Sequence, residues 1–214
     1  MKILSLGANG AVGQLAIDDL LNANHEVTAL VRNGSSMNRK HPQLTVVLQG
    51  EPTNAADLEK VLAQQDVVMC TLGARTNKRT TLRTDVARNL AAGMKRNGVR
   101  KLVWLDAAGV GSSKEFVRRS SFFFGRIIIP LFLNHMYEDA AVADELIEKS
   151  GCDWVIVRPM SFTNRVKTGN VSVVTDMSLT VQLRLRITRA DVAAFLVEQV
   201  AKDDYIEQMP IIFT

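Results

Sequence analysis

Residues Lys2 to Gly13 read KILSLGANGAVG. The apolar run of Ile3, Leu4 and Leu6 stops at Gly7, and Gly10 and Gly13 follow at intervals of three. A helical pattern begins straight after, with Val12, Leu15, Ala16 and Leu20 on one face. Strand, glycine turn and helix, in that order, are what a phosphate group needs. Glycines admit it close to the main chain, and a new helix offers unpaired N–H groups and the positive end of its dipole. The spacing is G-x-x-G-x-x-G, a variant of the G-x-G-x-x-G fingerprint of dinucleotide sites.

Working outward, further strands are expected at Glu26–Val31, Leu44–Leu48, Asp66–Leu72, Lys101–Leu105, Trp154–Val157 and Ile211–Phe213. The run DVVMCTL from Asp66 to Leu72 is nearly all apolar, the mark of a central strand covered on both faces. Helices fall between the strands. One is capped by Asn54 and carries Leu58, Val61 and Leu62. A longer one carries Leu82, Val86, Leu90 and Met94 and ends near Asn97-Gly98. A third runs from about Tyr137 to Lys149 and stops at Ser150-Gly151, and the last begins at the capping box Thr188-x-x-Asp191. Alternating strands and helices with right-handed crossovers predict an α/β fold: a Rossmann-type, doubly wound parallel sheet forming a single domain over residues 1–214. Small substrate-side segments are expected around 112–137 and 160–187. Ligands of such sheets bind beyond the carboxyl ends of the strands. Those ends are Gly7–Gly13, Arg32-Asn33, Gln49-Gly50, Leu72–Arg75, Asp106–Ala108 and Pro159–Ser161.

A chain of 214 residues with 47% hydrophobic and 22% charged residues has the composition of a soluble globular domain. The net charge of +4 is spread along the chain without a basic, aromatic-interleaved run, so nucleic acid is not an expected partner. Cys70 and Cys152 sit in apolar surroundings and read as buried free thiols. The apolar stretch Phe122–Leu133, FFFGRIIIPLFL, is too short to span a bilayer and is interrupted by Arg126 and Pro130. Its alternatives are a hydrophobic lid, a partner surface or a pocket wall. The N-terminus reads as a core strand, which makes the cytoplasm the expected location. There is no H-E-x-x-H, C-x-x-C or clustered His/Asp set, and no catalytic metal is expected.

Sites that prefer NAD place an Asp or Glu at the end of the second strand, on the ribose hydroxyls. This chain has Arg32 there, whose guanidinium would welcome a 2′-phosphate, so NADP(H) is expected over NAD(H).

The segments GANGAVG (Gly7–Gly13), VRN (Val31–Asn33), CTLGAR (Cys70–Arg75), ARNLAAGMKRNGVRKLV (Ala87–Val103), SGCDWVIVRP (Ser150–Pro159) and ITRADVAAFL (Ile187–Leu196) together resemble the atypical short-chain dehydrogenases of the NAD(P)H-binding, NmrA-like group. Within that group the chain is most similar to the biliverdin-IXβ reductase/flavin reductase branch. The resemblance covers nearly the whole chain, and it is more specific for fold and cofactor than for substrate. It implies that Gly7, Asn9, Gly10, Ala11, Val12 and Gly13 hold the pyrophosphate, with Arg32 and Asn33 at the adenosine phosphate. It implies further that Leu72, Gly73 and Arg75 line the ribose and bridge. Asp106, Ala107, Ala108, Pro159, Met160 and Ser161 would then flank the nicotinamide.

The departures bear on chemistry. Many short-chain dehydrogenases protonate their product with a Tyr-x-x-x-Lys pair and a serine after the fifth strand. Here Tyr137 is followed four places on by Ala141, and the loop after the fifth strand is Asp106-Ala107-Ala108. A tyrosine without a cationic neighbour is poorly tuned to protonate an alkoxide. Hydride transfer to a flavin-like, quinone or linear tetrapyrrole acceptor makes no such demand, because a conjugated ring delocalises the incoming charge. Tyr137 and His135 are the candidates for a proton donor or substrate contact. The expectation is an NADPH-dependent reductase of a small conjugated acceptor. The rival is a redox sensor that binds NADP(H) without turnover, and a nucleotide-sugar epimerase ranks last.

Overall fold

The computed structural model describes residues 1–32, 37, 39–48, 50–74, 78–121, 124–178 and 186–214, without the side chains of Phe124 and Phe132. Strand β1 (Lys2–Leu6) leads through the glycine turn into α1 (Ala11–Asn22). β2 (Glu26–Val31), β3 (Leu44–Leu48), α2 (Ala55–Leu62), β4 (Val67–Cys70), α3 (Leu82–Asn97) and β5 (Lys101–Leu105) follow. After α4 (Lys114–Ser120), a wide-turn helical segment over Phe124–Leu133 runs directly into α5 (Asn134–Glu148). The chain then forms β6 (Asp153–Pro159), β7 (Ser161–Thr163), β8 (Ser172–Val174), β9 (Arg186–Thr188), α6 (Arg189–Ala201) and β10 (Ile211–Phe213).

The main sheet has the order β3-β2-β1-β4-β5-β6-β10-β8, with β1 paired in parallel to both β2 and β4. The strand order reverses at β1, with β2 and β3 added on one side and β4 on the other, which places the glycine turn at the switch point. The expected doubly wound sheet is therefore present, but it is not wholly parallel. β8 pairs antiparallel with β10 at one edge, and β7 and β9 form a separate two-stranded parallel ribbon. These three strands are only three residues long, too short for alternation to register in the sequence.

Strand residues of odd and even number go to opposite faces. Ile3, Val27, Met69, Val103 and Val155 are buried with α1 and α6. Leu4, Val68, Leu102, Trp104 and Ile156 are buried with α2, α3 and α5. A third cluster, including Phe116, Val117, Ile129, Met160 and Phe213, takes Ile129 from the apolar stretch after β5, with Leu133 packed against it. No helix of the described residues is long and apolar enough to cross a membrane.

Candidate functional site

The glycine turn is shaped by contacts with the end of β4. Gly7 has φ +85°, and a Cβ there would lie 2.7 Å from the carbonyl carbon of Thr71. Gly13 lies beneath it in the first turn of α1, where a Cβ would fall 2.2 Å from the Gly7 carbonyl oxygen. The Gly10 N–H donates to that same oxygen at 2.8 Å. Gly10 also caps α1 without any side-chain hydrogen bond, and no acidic residue occupies the first turn. The helix thus presents main-chain donors and its positive end without a built-in anion. A diphosphate fits this cradle by shape and by charge.

Two cavities open from the cradle. One, of about 520 Å³, runs over the ends of β1 and β2 and is lined by Gly7, Asn9, Gly10, Arg32, Leu72 and Gly73 among others. Its wall also holds Glu51 and Pro52, which the sequence did not single out. The loop after β3 carries both, and nothing in their local pattern announces the distance they cross. Arg32 is exposed at the end of β2, as its position predicts. Arg39 lies elsewhere, donating to the Gln14 carbonyl and pairing with Asp18 on α1. Asn33 and Arg75 are outside the described residues.

The second cavity, of about 430 Å³, shares Gly10, Thr71, Leu72 and Gly73 with the first. Ala11, Val12, Asp106, Ala107 and Tyr137 join its wall, as do Arg83, Phe162 and Arg189. The Arg189 guanidinium stacks 5.2 Å from the centre of the Phe162 ring. Ala108, Pro159, Met160 and Ser161 are not in its wall. The Ala108 N–H donates to the Pro159 carbonyl, and Met160 is buried with its N–H on the Ile212 carbonyl. The described residues from Phe116 to Leu133 line neither cavity.

The two candidate donors separate here. Tyr137 lies in the second cavity and its hydroxyl donates to the Ala108 carbonyl at 3.2 Å. Burial, and then the negative charge of Asp106, push its phenol well above the usual tyrosine range. His135 lies outside the wall, half-exposed on the next face of α5 with Nδ1 3.3 Å from Glu138.

Behind the second cavity lies a polar cluster that the sequence did not foretell. Trp104 on β5 and Ile156 on β6 are register partners facing α3 and α5. Two residues on, at the strand ends, Asp106 and Arg158 continue that face. Arg83, in the first turn of α3, donates to Asp106 Oδ1 at 2.9 Å and to the Leu72 and Leu105 carbonyls at 3.1 and 3.0 Å. Its guanidinium also lies 4.9 Å from the Trp104 ring. Arg158 donates to Asp144 Oδ2 at 2.7 Å and to the Ser112 hydroxyl at 2.9 Å. Asp139 on α5 accepts from the Arg83 and Thr84 N–H groups at the start of α3. A signal for Arg83 did exist, since Arg83, Val86, Ala87 and Leu90 share one helical face. Cys70 is a fully buried free thiol, pushed up to about 12 by burial, whereas Cys152 is only half-buried. Among the described residues no group of three or more His, Cys, Asp or Glu is placed to hold a metal ion.

The chain is 27% identical over 206 residues to a Bacillus subtilis (strain 168) protein named as an uncharacterized sugar epimerase, YhfK. That match covers 90% of this chain and 85% of the relative. Among solved structures it is similar to ChuY, an anaerobillin reductase from Escherichia coli O157:H7, with TM-score 0.78 and 19% identity over 100% of this chain and 97% of that one. It is also similar to a wide-type short-chain dehydrogenase/reductase from Veillonella parvula DSM 2008 in complex with NADP, with TM-score 0.81 and 16% identity over 100% and 94% of the two chains. At such identities the structures speak for the shared fold. The model of the NAD(P)H-binding family matches residues 7–203, and the chain belongs to that family.

Proposed function

We propose that this protein is an NADPH-dependent reductase that passes a hydride to a planar conjugated acceptor, of the flavin-like, quinone or linear tetrapyrrole kind. The coenzyme would supply the hydride. Gly7, Asn9, Gly10, Ala11, Val12 and Gly13 would hold its diphosphate, Arg32 and Asn33 its adenosine phosphate, and Leu72, Gly73 and Arg75 the bridge. Asp106 and Ala107 would stand beside the nicotinamide, with Ala108 and the turn Pro159–Ser161 supporting them from behind the wall.

The observation that carries the acceptor class is the state of Tyr137. Its hydroxyl is engaged with the Ala108 carbonyl, and its proton is held tightly by burial and by Asp106. Such a phenol is a poor acid for an alkoxide. The cavity around it, with Val12, Leu72, Leu105, Val110 and Met136, is largely apolar, and Phe162 offers a ring face on which a flat molecule can stack. The chain's residues then orient the acceptor and keep water out while the conjugated ring takes the charge. Tyr137 is the substrate contact of this reading, and His135 is peripheral to it.

Mixing the protein with NADPH and a panel of FMN, a quinone and biliverdin should speed loss of the reduced-nicotinamide absorbance with at least one acceptor. If none is turned over while NADP⁺ and NADPH both bind tightly, the non-catalytic NADP(H) sensor replaces the reductase.

A further inference from the structure

The buried cluster behind the second cavity does not balance in charge. Three carboxyl groups, Asp106, Asp139 and Asp144, face two guanidiniums, Arg83 and Arg158, and all five residues are at least nine-tenths buried. Asp139 is fully used by the start of α3, where it takes two N–H groups and the Thr84 hydroxyl. Asp106 and Asp144 are each bonded through one oxygen, to Arg83 and Arg158 respectively. Their remaining oxygens, Asp106 Oδ2 and Asp144 Oδ1, are buried and have no donor. Arg158 lies between the two carboxyl groups, with Nη2 2.7 Å from Asp144 Oδ2 and Nε 3.7 Å from Asp106 Oδ2. Two ionised carboxylates gathered on one guanidinium repel, whereas one proton between them satisfies both orphan oxygens and neutralises the cluster.

We infer that Asp106 and Asp144 share a single proton at neutral pH, and that Asp106, the member in the cavity wall, delivers it to the reduced acceptor. The delivery rests on the reductase reading above. The acceptor gains the hydride from the reduced nicotinamide coenzyme and one proton from the carboxyl pair, leaving oxidised coenzyme and an ionised pair. Solvent protonates the pair again before the next turnover. Asp106 is the catalytic acid, and Asp144 is the positioning residue that holds the proton behind it.

The surroundings agree. Burial first, and then the charge of Asp106, hold the Asp144 carboxyl well above the usual carboxylate range, against the pull of Arg158 and Arg83. The groups facing the pair are Arg83 from α3, Arg158 from β6 and Tyr137 from α5; Ser112, from the turn before α4, bonds Arg158, and Asp139 from α5 and Cys70 from β4 lie on the Arg83 side. Burial pushes both the phenol and the thiol up, so neither adds a negative charge beside the pair.

Infrared spectroscopy of the whole protein in heavy water at about pH 8, far above ordinary carboxyl titration, reads the shared proton without turnover. The wild type should show the carbonyl band of one neutral carboxyl, and Asp144→Asn should abolish it. A wild type without the band, or a variant that keeps it, overturns the inference. Should Asp144→Asn fail to fold, carbon-13 NMR of aspartate carboxyls in the wild type detects the same proton. One signal should stay at the neutral position above pH 7, and its absence is the overturning result. With FMN and NADPH, Asp144→Asn should lower kcat about a hundredfold at nearly unchanged KM. It should also remove the fall in rate that the wild type shows as pH rises. A wild type that turns over with the same pH profile as the variant overturns the delivery step. A wild type that does not turn over removes the reductase reading and the delivery with it, and the infrared band still decides the shared proton.

Discussion

The guanidinium of Arg83 meets the carboxylate of Asp106 at 2.9 Å, joining the first turn of α3 to the end of β5 at the wall of the second cavity. Both side chains are nearly out of solvent, at 9% and 2% exposure. Replacing two such charges together by apolar groups is often mild, but removing one leaves the other buried and alone. Arg83→Met is therefore expected to cost about 3–5 kcal/mol in urea denaturation. The double variant Arg83→Met/Asp106→Leu should recover part of that loss. A single variant as stable as the wild type would mean that the pair contributes nothing to the fold.

The cradle yields a sharper contrast. In Gly13→Ala the new methyl would meet the Gly7 carbonyl oxygen at 2.2 Å, so the turn must open. About 1–3 kcal/mol of stability should be lost, together with most of the heat of NADPH binding in calorimetry. Gly73→Ala meets nothing within 4 Å and should leave thermal stability unchanged.

Arg32 and Glu51 share the wall of the first cavity, and their roles can be separated by charge reversal and by neutralisation. Arg32→Glu should weaken NADPH about tenfold more than NADH, because it sets a like charge against the 2′-phosphate. Glu51→Gln should leave the ratio of the two affinities as it is in the wild type. Equal losses for both coenzymes in Arg32→Glu would place the 2′-phosphate elsewhere.

Asp191 supplies a pH-dependent element outside the walls of both cavities. Burial pushes its carboxyl up, but hydrogen bonds from the Thr188 hydroxyl, the Gly169 and Thr168 N–H groups and the Thr168 hydroxyl outweigh burial and hold it below the usual range. A carboxyl lowered on folding contributes stability above its unfolded value and loses it as pH falls through the folded value. Asp191→Asn should therefore be less stable than the wild type near neutrality, and the difference should shrink as acid is added. A gap that stays constant down to strong acid would exclude this linkage.

Much of the first cavity was legible in the primary structure, because its parts are local. The turn at Gly7–Gly13, the strand end at Arg32 and the break at Leu72-Gly73 each sit where a strand pattern stops, and a parallel sheet brings strand ends to one edge. Glu51 was not legible, because it reaches that edge from a loop whose path no periodicity describes. Thr188 and Asn54 were legible as caps, since capping is a contact with the next few residues: Thr188 accepts from the Asp191 N–H, and Asn54 from the Ala56 and Asp57 N–H groups.

By itself the sequence determined the order of the longer strands and helices, the two faces of the sheet and the glycine turn after the first strand. Those features follow from how apolar and glycine residues recur along a few neighbouring turns, and such recurrence needs no knowledge of distant chain. The tertiary structure alone decided the second cavity and the charged cluster behind it. Asp106 read as a strand-end residue beside a ligand, but its pairing with Arg83 did not, and Asp139, Asp144 and Arg158 read as ordinary polar positions until β5, β6, α3 and α5 converge. A buried charge is tolerated through its partner, and here each partner comes from a different element.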